Sequence, residues 1–260
     1  MSSQPPPTED DDDSIEINLR SSEEIGRRLV ALAAVLTRVG LESNAPVGGD
    51  PDDIADAEDE RLDLVAWLHS ENASDSLSPS EQSLLETPVG QLPFEAVAGF
   101  SWQAERFAVI AWAASLTDIL PGIHEEANIS APLALIPTPW DSVNDFFAML
   151  ELRTDEEVAV ELERAEVWLW RAETEEARRT ASRDELAEIA EAIAEVVAEG
   201  VETRLLERAP DGDFLVSGKS FHRLSEDVRA RIAIIASERL RTLNWLRGAD
   251  DDWDNLSAGL

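Results

Sequence analysis

No cysteine occurs among the 260 residues, and Lys219 is the only lysine beside twenty arginines. Without thiols there are no disulfides, no Cys-ligated zinc, no iron–sulfur clusters and no cysteine nucleophile. Basic charge is scarce overall, with 21 Lys plus Arg against 55 Asp plus Glu, a formal net charge of -34. No basic stripe exists to replace the counterions of a nucleic acid, so nucleic-acid binding is excluded. The same deficit argues against anionic membrane surfaces. Long apolar runs are missing too. The most apolar stretch, Phe107 to Leu120, is too short to cross a bilayer and is interrupted by Asp118. The opening "MSSQPPPTEDDDDS" has neither the basic start nor the apolar run of a secretory signal. A cytoplasmic protein without a membrane partner is expected.

What is present is acid, spread along the whole chain, with a sequence pI near 4.2. Such charge strains a compact state in dilute buffer, because like charges repel. At about 1 M salt the Debye length falls to roughly 3 Å and the repulsion is screened. Together with the near absence of lysine, this predicts a halophilic protein with salt-dependent stability. Hydrophobic residues still make up 43%, enough for a packed core.

Residues 1–18 combine Pro5-Pro6-Pro7 with the acidic run Glu9 to Asp13 and are expected to form a disordered acidic tail. The remainder, 19–260, reads as one all-α domain: an orthogonal bundle of about eight helices with one small β-hairpin. Ile25, Leu29, Leu32 and Leu36 recur at helical spacing in the first segment. Further helices are expected at about 58–69, from Ser78, at 102–116, 142–150, 155–178, 183–206 and 226–246. Four hydroxyl–carboxylate pairs sit three residues apart, at Ser21/Glu24, Ser78/Glu81, Thr154/Glu157 and Ser182/Glu185. Each can cap a helix start reciprocally. Two long connections remain, Leu41 to Asp53 and Pro121 to Trp140.

The stretch "DGDFLVSGKS" at 211–220 ends like a phosphate-binding loop. Five residues separate Gly212 from Gly218 where that loop needs four, and Phe214, Leu215 and Val216 favour a strand over a nest. A hairpin reversing at Ser217-Gly218 fits better. His69, His124 and His222 are isolated in sequence, and the carboxylate runs at 50–60 and 250–254 lack the pattern of a calcium loop. No metal, no cofactor and no catalytic constellation is expected.

Two charges fall on apolar stripes. Glu105 shares a face with Trp102, Val109, Trp112 and Leu116, while Arg239 shares one with Ile232, Ile235, Leu243 and Leu246. A buried charge needs a partner, so Glu105 and Arg239 are expected to pair across the core, with Arg171 as a third member. Glu238 and Trp245 lie close by in sequence. Glu105, Trp112, Arg171, Glu238, Arg239 and Trp245 are therefore the candidate binding residues, with a structural ion-pair cluster as the other reading of them.

The segments "RSSEEIGRRLVALAAV" from Arg20, "LSPSEQSLLE" from Leu77 and "SWQAERFAVIAWAASL" from Ser101 resemble the domain of unknown function 4272. "DGDFLVSGKSF" from Asp211 and "SERLRTLNWLRG" with Trp253-Asp254 extend the resemblance over nearly the whole chain. Ser115 departs from it, where the family usually carries leucine or glycine. The resemblance implies the fold and no activity. The residues favour a non-enzymatic module for a protein partner. The alternative is a small-molecule binder or hydrolytic enzyme with a site near Glu105, Arg171, Glu238 and Arg239, under the Pro121–Trp140 loop.

Overall fold

The computed structural model describes residues 18–44 and 50–258. The expected acidic tail lies outside them apart from its last residue. The architecture is all-α with one two-stranded sheet. In order come α1 (Ser22–Asn44), α2 (Pro51–Ser70), α3 (Pro79–Glu86), α4 (Phe94–Ser101) and α5 (Gln103–Ala113). The single turn α6 (Ser130–Leu133), α7 (Val143–Met149), α8 (Asp155–Arg178) and α9 (Arg183–Glu202) follow. Strands β1 (Leu215–Val216) and β2 (Lys219–Ser220) then precede α10 (Glu226–Leu246).

Each expected capping box is formed. At Ser78, Thr154 and Ser182 the hydroxyl takes the third amide and the carboxylate returns to the cap amide. Ser21 and Glu24 exchange the same two bonds. Such pairs satisfy amides that a helix start otherwise leaves orphaned, which is why these helices begin where the sequence says.

Several boundaries differ from the sequence reading. The second helix starts at Pro51, seven residues before Glu58, because Asp50 caps it by accepting from the Asp52 amide and proline suits a first turn. The connection expected from Leu41 to Asp53 is mostly helix on both sides; 45–49 lie outside the described residues. The expected 102–116 helix ends at Ala113, because Ser115 turns left-handed at φ +55° and the Leu116 amide donates back to Ala111 O. The Ser115 backbone is one that glycine occupies most cheaply. Helix α9 stops at Glu202 rather than Leu206, ended by Arg204 at φ +63°. Helices α4 and α6 were not expected. They lack side-chain caps and are eight and four residues long, too short for periodicity to reveal.

The core is organised around α1 and α10. Helix α10 packs chiefly on α8 and α5, while α1 packs on α5, α4, α7 and α3. Helix α5 thus touches both central helices, and Phe107, Val109, Ile110 and Ala111 are fully buried. The hairpin reverses at Ser217 (φ +46°) and Gly218 (φ +80°), the two positive values that a two-residue type I′ turn requires.

Candidate functional site

Helices α5 and α10 cross with two ion-pair rungs of opposite polarity. In the first, Arg239 Nε donates to Glu105 Oε2 at 2.9 Å, and Arg239 Nη2 lies 2.9 Å from the same oxygen. In the second, Arg106 Nε donates to Glu238 Oε2 at 2.5 Å. Adjacent residues on each helix carry opposite charge, so sliding one helix by a residue sets like against like. That fixes the register of the crossing.

The first rung also grips the chain beyond α5. Arg239 donates to the Pro121 carbonyl at 2.6 Å and the Glu125 carbonyl at 3.3 Å. Glu105 accepts from the Ala127 amide at 2.7 Å. Both side chains are about 2% exposed. Their hydrogen-bonding capacity is directed at each other and at 121–127, so the pair anchors a loop.

Arg171 does not join this pair. It emerges from α8 toward the hairpin, donating to both Asp213 oxygens at 2.8 Å and to Glu175 Oε2 at 2.9 Å. Lying on α8, it faces the carboxylate nearest that helix, which sequence spacing alone does not identify. Glu238, besides Arg106, accepts from Arg241 at 2.6 Å. Trp112 lies under Arg153, whose guanidinium carbon is 5.0 Å from the ring centre. Trp245 stacks edge-on with Trp253 at 5.4 Å and carries Arg20 over its face at 4.6 Å. Glu105, Glu238 and Arg239 thus share the α5–α10 crossing, whereas Arg171, Trp112 and Trp245 have their charged partners elsewhere.

Asp213 is the hub of the second cluster. It accepts from Arg171, from the Phe214 and His222 amides, and lies 2.9 Å from His222 Nδ1. These contacts explain the "DGDFLVSGKSF" stretch. Asp213 pins both ends of the hairpin to α8, and Ser220 closes it by donating to Asp211 at 2.5 Å. His222 is therefore not isolated in the fold. Its Nε2 faces Asp211 at 3.8 Å and Arg223 at 3.4 Å rather than a hydroxyl.

Burial pushes the Asp213 carboxyl up, but hydrogen bonds and charge from Arg171, with bonds from His222, hold it well below the usual carboxylate range. A group lowered in the folded state contributes stability that is complete above its unfolded pKa, about 3.9. That contribution is lost as pH falls from about 4 through the folded value. Asp213→Asn is thus expected to flatten the acid limb of stability below about pH 4. Urea titrations from pH 2.5 to 7 measure this, and parallel curves for wild type and variant count against the hub.

Sequence reasoning missed two further buried pairs. Arg38 and Glu42 pair within α1 at 2.8 Å, where Arg38 also reaches the Thr87 and Pro88 carbonyls and Glu42 takes the Gly90 and Leu92 amides. Arg28 pairs with Glu81 and lies 3.7 Å over Trp253. The signal was available: Arg28, Leu32, Val35, Val39 and Glu42 repeat at helical spacing on α1, as do Glu105 and Arg239 in their own stripes.

Among the described residues no group of three or more acids and histidines is placed to hold a metal ion. No described helix is long and apolar enough to cross a membrane. A cleft of about 730 Å³ opens where the hairpin, α8, the end of α9 and the start of the 121–140 loop meet.

A family model described as Domain of unknown function (DUF4272) matches residues 3–199. The match spans α1 to most of α9 and ends before the hairpin and α10. No curated protein and no solved structure matches the chain.

Proposed function

The chain belongs to the DUF4272 family, and we propose on that premise that it is a non-enzymatic protein-interaction module of a salt-rich cytoplasm. The supporting observation is an uneven distribution of exposed apolar side chains. Ile119, Trp140 and Met149 are 76%, 71% and 73% exposed, and Leu135 is more than half exposed, all within one connecting region between α5 and α8. Single exposed leucines mean little. Several large apolar groups on one segment are the usual composition of a contact surface, where tryptophan and methionine are enriched.

The segment is presented on a fixed frame. The Glu105–Arg239 pair holds its start, and Arg153 donates to the Thr117 and Asp118 carbonyls beside Ile119. Trp67 Nε1 donates to the Asp141 carbonyl beside Trp140. A framed apolar segment binds without first losing loop entropy.

The test is affinity capture at molar KCl with wild type and with a Trp140→Ser, Met149→Ser double variant, each checked for native helicity. A stoichiometric partner that the variant captures at least about tenfold less is expected, the size of one lost aromatic anchor. Bait alone, or equal capture by both proteins, would overturn the reading.

A further inference from the structure

We infer that the cleft of about 730 Å³ binds a small organic anion, with a carboxylate or phosphate at one end and an apolar body at the other. The inference does not depend on the partner surface proposed above. It begins from a charge anomaly. In a chain with 55 acidic residues, three arginines line one cleft, Arg164, Arg204 and Arg208, against a single lining carboxylate, Glu207.

Most guanidiniums in this protein face a carboxylate, as at Arg28, Arg38, Arg61, Arg106, Arg171 and Arg239. Neither Arg204 nor Arg208 has an ion-pair partner among the described residues. Arg164 pairs with Glu161 and reaches the Arg204 carbonyl at 3.4 Å, which draws two of the three together. Guanidiniums without a carboxylate partner are free to meet an anion from solution, and their planar forks match carboxylate and phosphate oxygens two at a time.

The backbone adds a second observation. Arg204 ends α9 in the left-handed region, at φ +63°, a position that glycine fills at lower cost. The residue held in that conformation lines the cleft. Behind the charges the wall is apolar, with Trp168, Leu205, Leu206 and Leu215 lining it. The volume falls within the ~300–1,000 Å³ of ordinary small-molecule sites. His124 completes the rim from the segment that the Glu105–Arg239 pair anchors. The two features singled out by sequence, that ion pair and the hairpin, thus each hold one wall of the cleft in place.

The experiment is calorimetric titration of the full chain in 2 M KCl with phenyl phosphate, benzoate and inorganic phosphate. Saturable binding of phenyl phosphate or benzoate is expected, with the two arms telling which headgroup the arginines prefer. Arg204→Ala and Arg208→Ala should each weaken it about tenfold, the scale of one charge-assisted contact. Arg183→Ala, on the far end of α9, should leave it unchanged. Arg204 and Arg208 are exposed, so these variants are expected to fold, which circular dichroism checks. Absence of saturable heat with both organic anions, or equal affinity in the arginine variants, would overturn the inference. So would inorganic phosphate binding as tightly as phenyl phosphate, which would leave no role for the apolar wall.

Discussion

Glu105→Ala and Arg239→Ala should each cost about 3–5 kcal/mol of unfolding free energy, because each leaves the other charge buried without its partner. For a chain of this size that is a fall of roughly 6–20 °C in melting temperature. The two losses should differ in character. Without Arg239, the Glu105 carboxylate keeps only the Ala127 amide. Without Glu105, Arg239 still has the Pro121 and Glu125 carbonyls to donate to. The double variant should lose less than the sum by about 2 kcal/mol or more, since the second truncation removes an already orphaned charge. Urea unfolding of the four proteins at fixed salt measures the cycle. Strict additivity would mean that the rung carries no coupling, despite two contacts at 2.9 Å.

The second large effect is expected from salt. At 2 M KCl the far-ultraviolet circular dichroism should be that of a folded helical protein, and below about 0.1 M cooperative unfolding should set in. The net charge of -34 supplies the driving force. Lowering the ionic strength from 1 M to 0.1 M lengthens the Debye screening distance from about 3 to about 10 Å, so each carboxylate then senses many neighbours. Helix α9 should loosen first. Its main helical neighbour is α8, it buries only Ile193, Val197 and Gly200, and it carries an acid on every turn from Asp184 to Glu202. Hydrogen exchange at stepwise lower salt should show its amides losing protection before those of α1 and α10. An unchanged melting temperature between 0.05 and 2 M KCl would refute the halophilic reading outright.

Much of the fold was legible in the residues. The four capping boxes mark helix starts because the hydroxyl and the carboxylate act within one turn of the backbone they satisfy. Ser217-Gly218 marks the hairpin for the same local reason. The stripes through Glu105 and Arg239 placed two charges inward, and the Glu105–Arg239 contact follows because each was the other's nearest need. Arg171 was assigned to the wrong cluster, since its actual partner Asp213 is 42 positions away and lies in a hairpin whose docking no periodicity reports. The start of α2 escaped because its first turns, Pro51 to Ala57, are rich in acid and carry little apolar period, and α4 escaped because eight residues show too little of theirs.

Residue order alone settled the helical class, the starts of most long helices, the tight reversal at Ser217 and the acidic exterior. Each of these depends on interactions within a few positions or on composition. Only the packed molecule decided which of the many carboxylates each arginine meets, and which arginines meet none. Charges attract without regard to sequence distance, so partner choice falls to the crossing of helices and the docking of loops. Arg204 and Arg208 differ from Arg239 by position in space, not by chemistry.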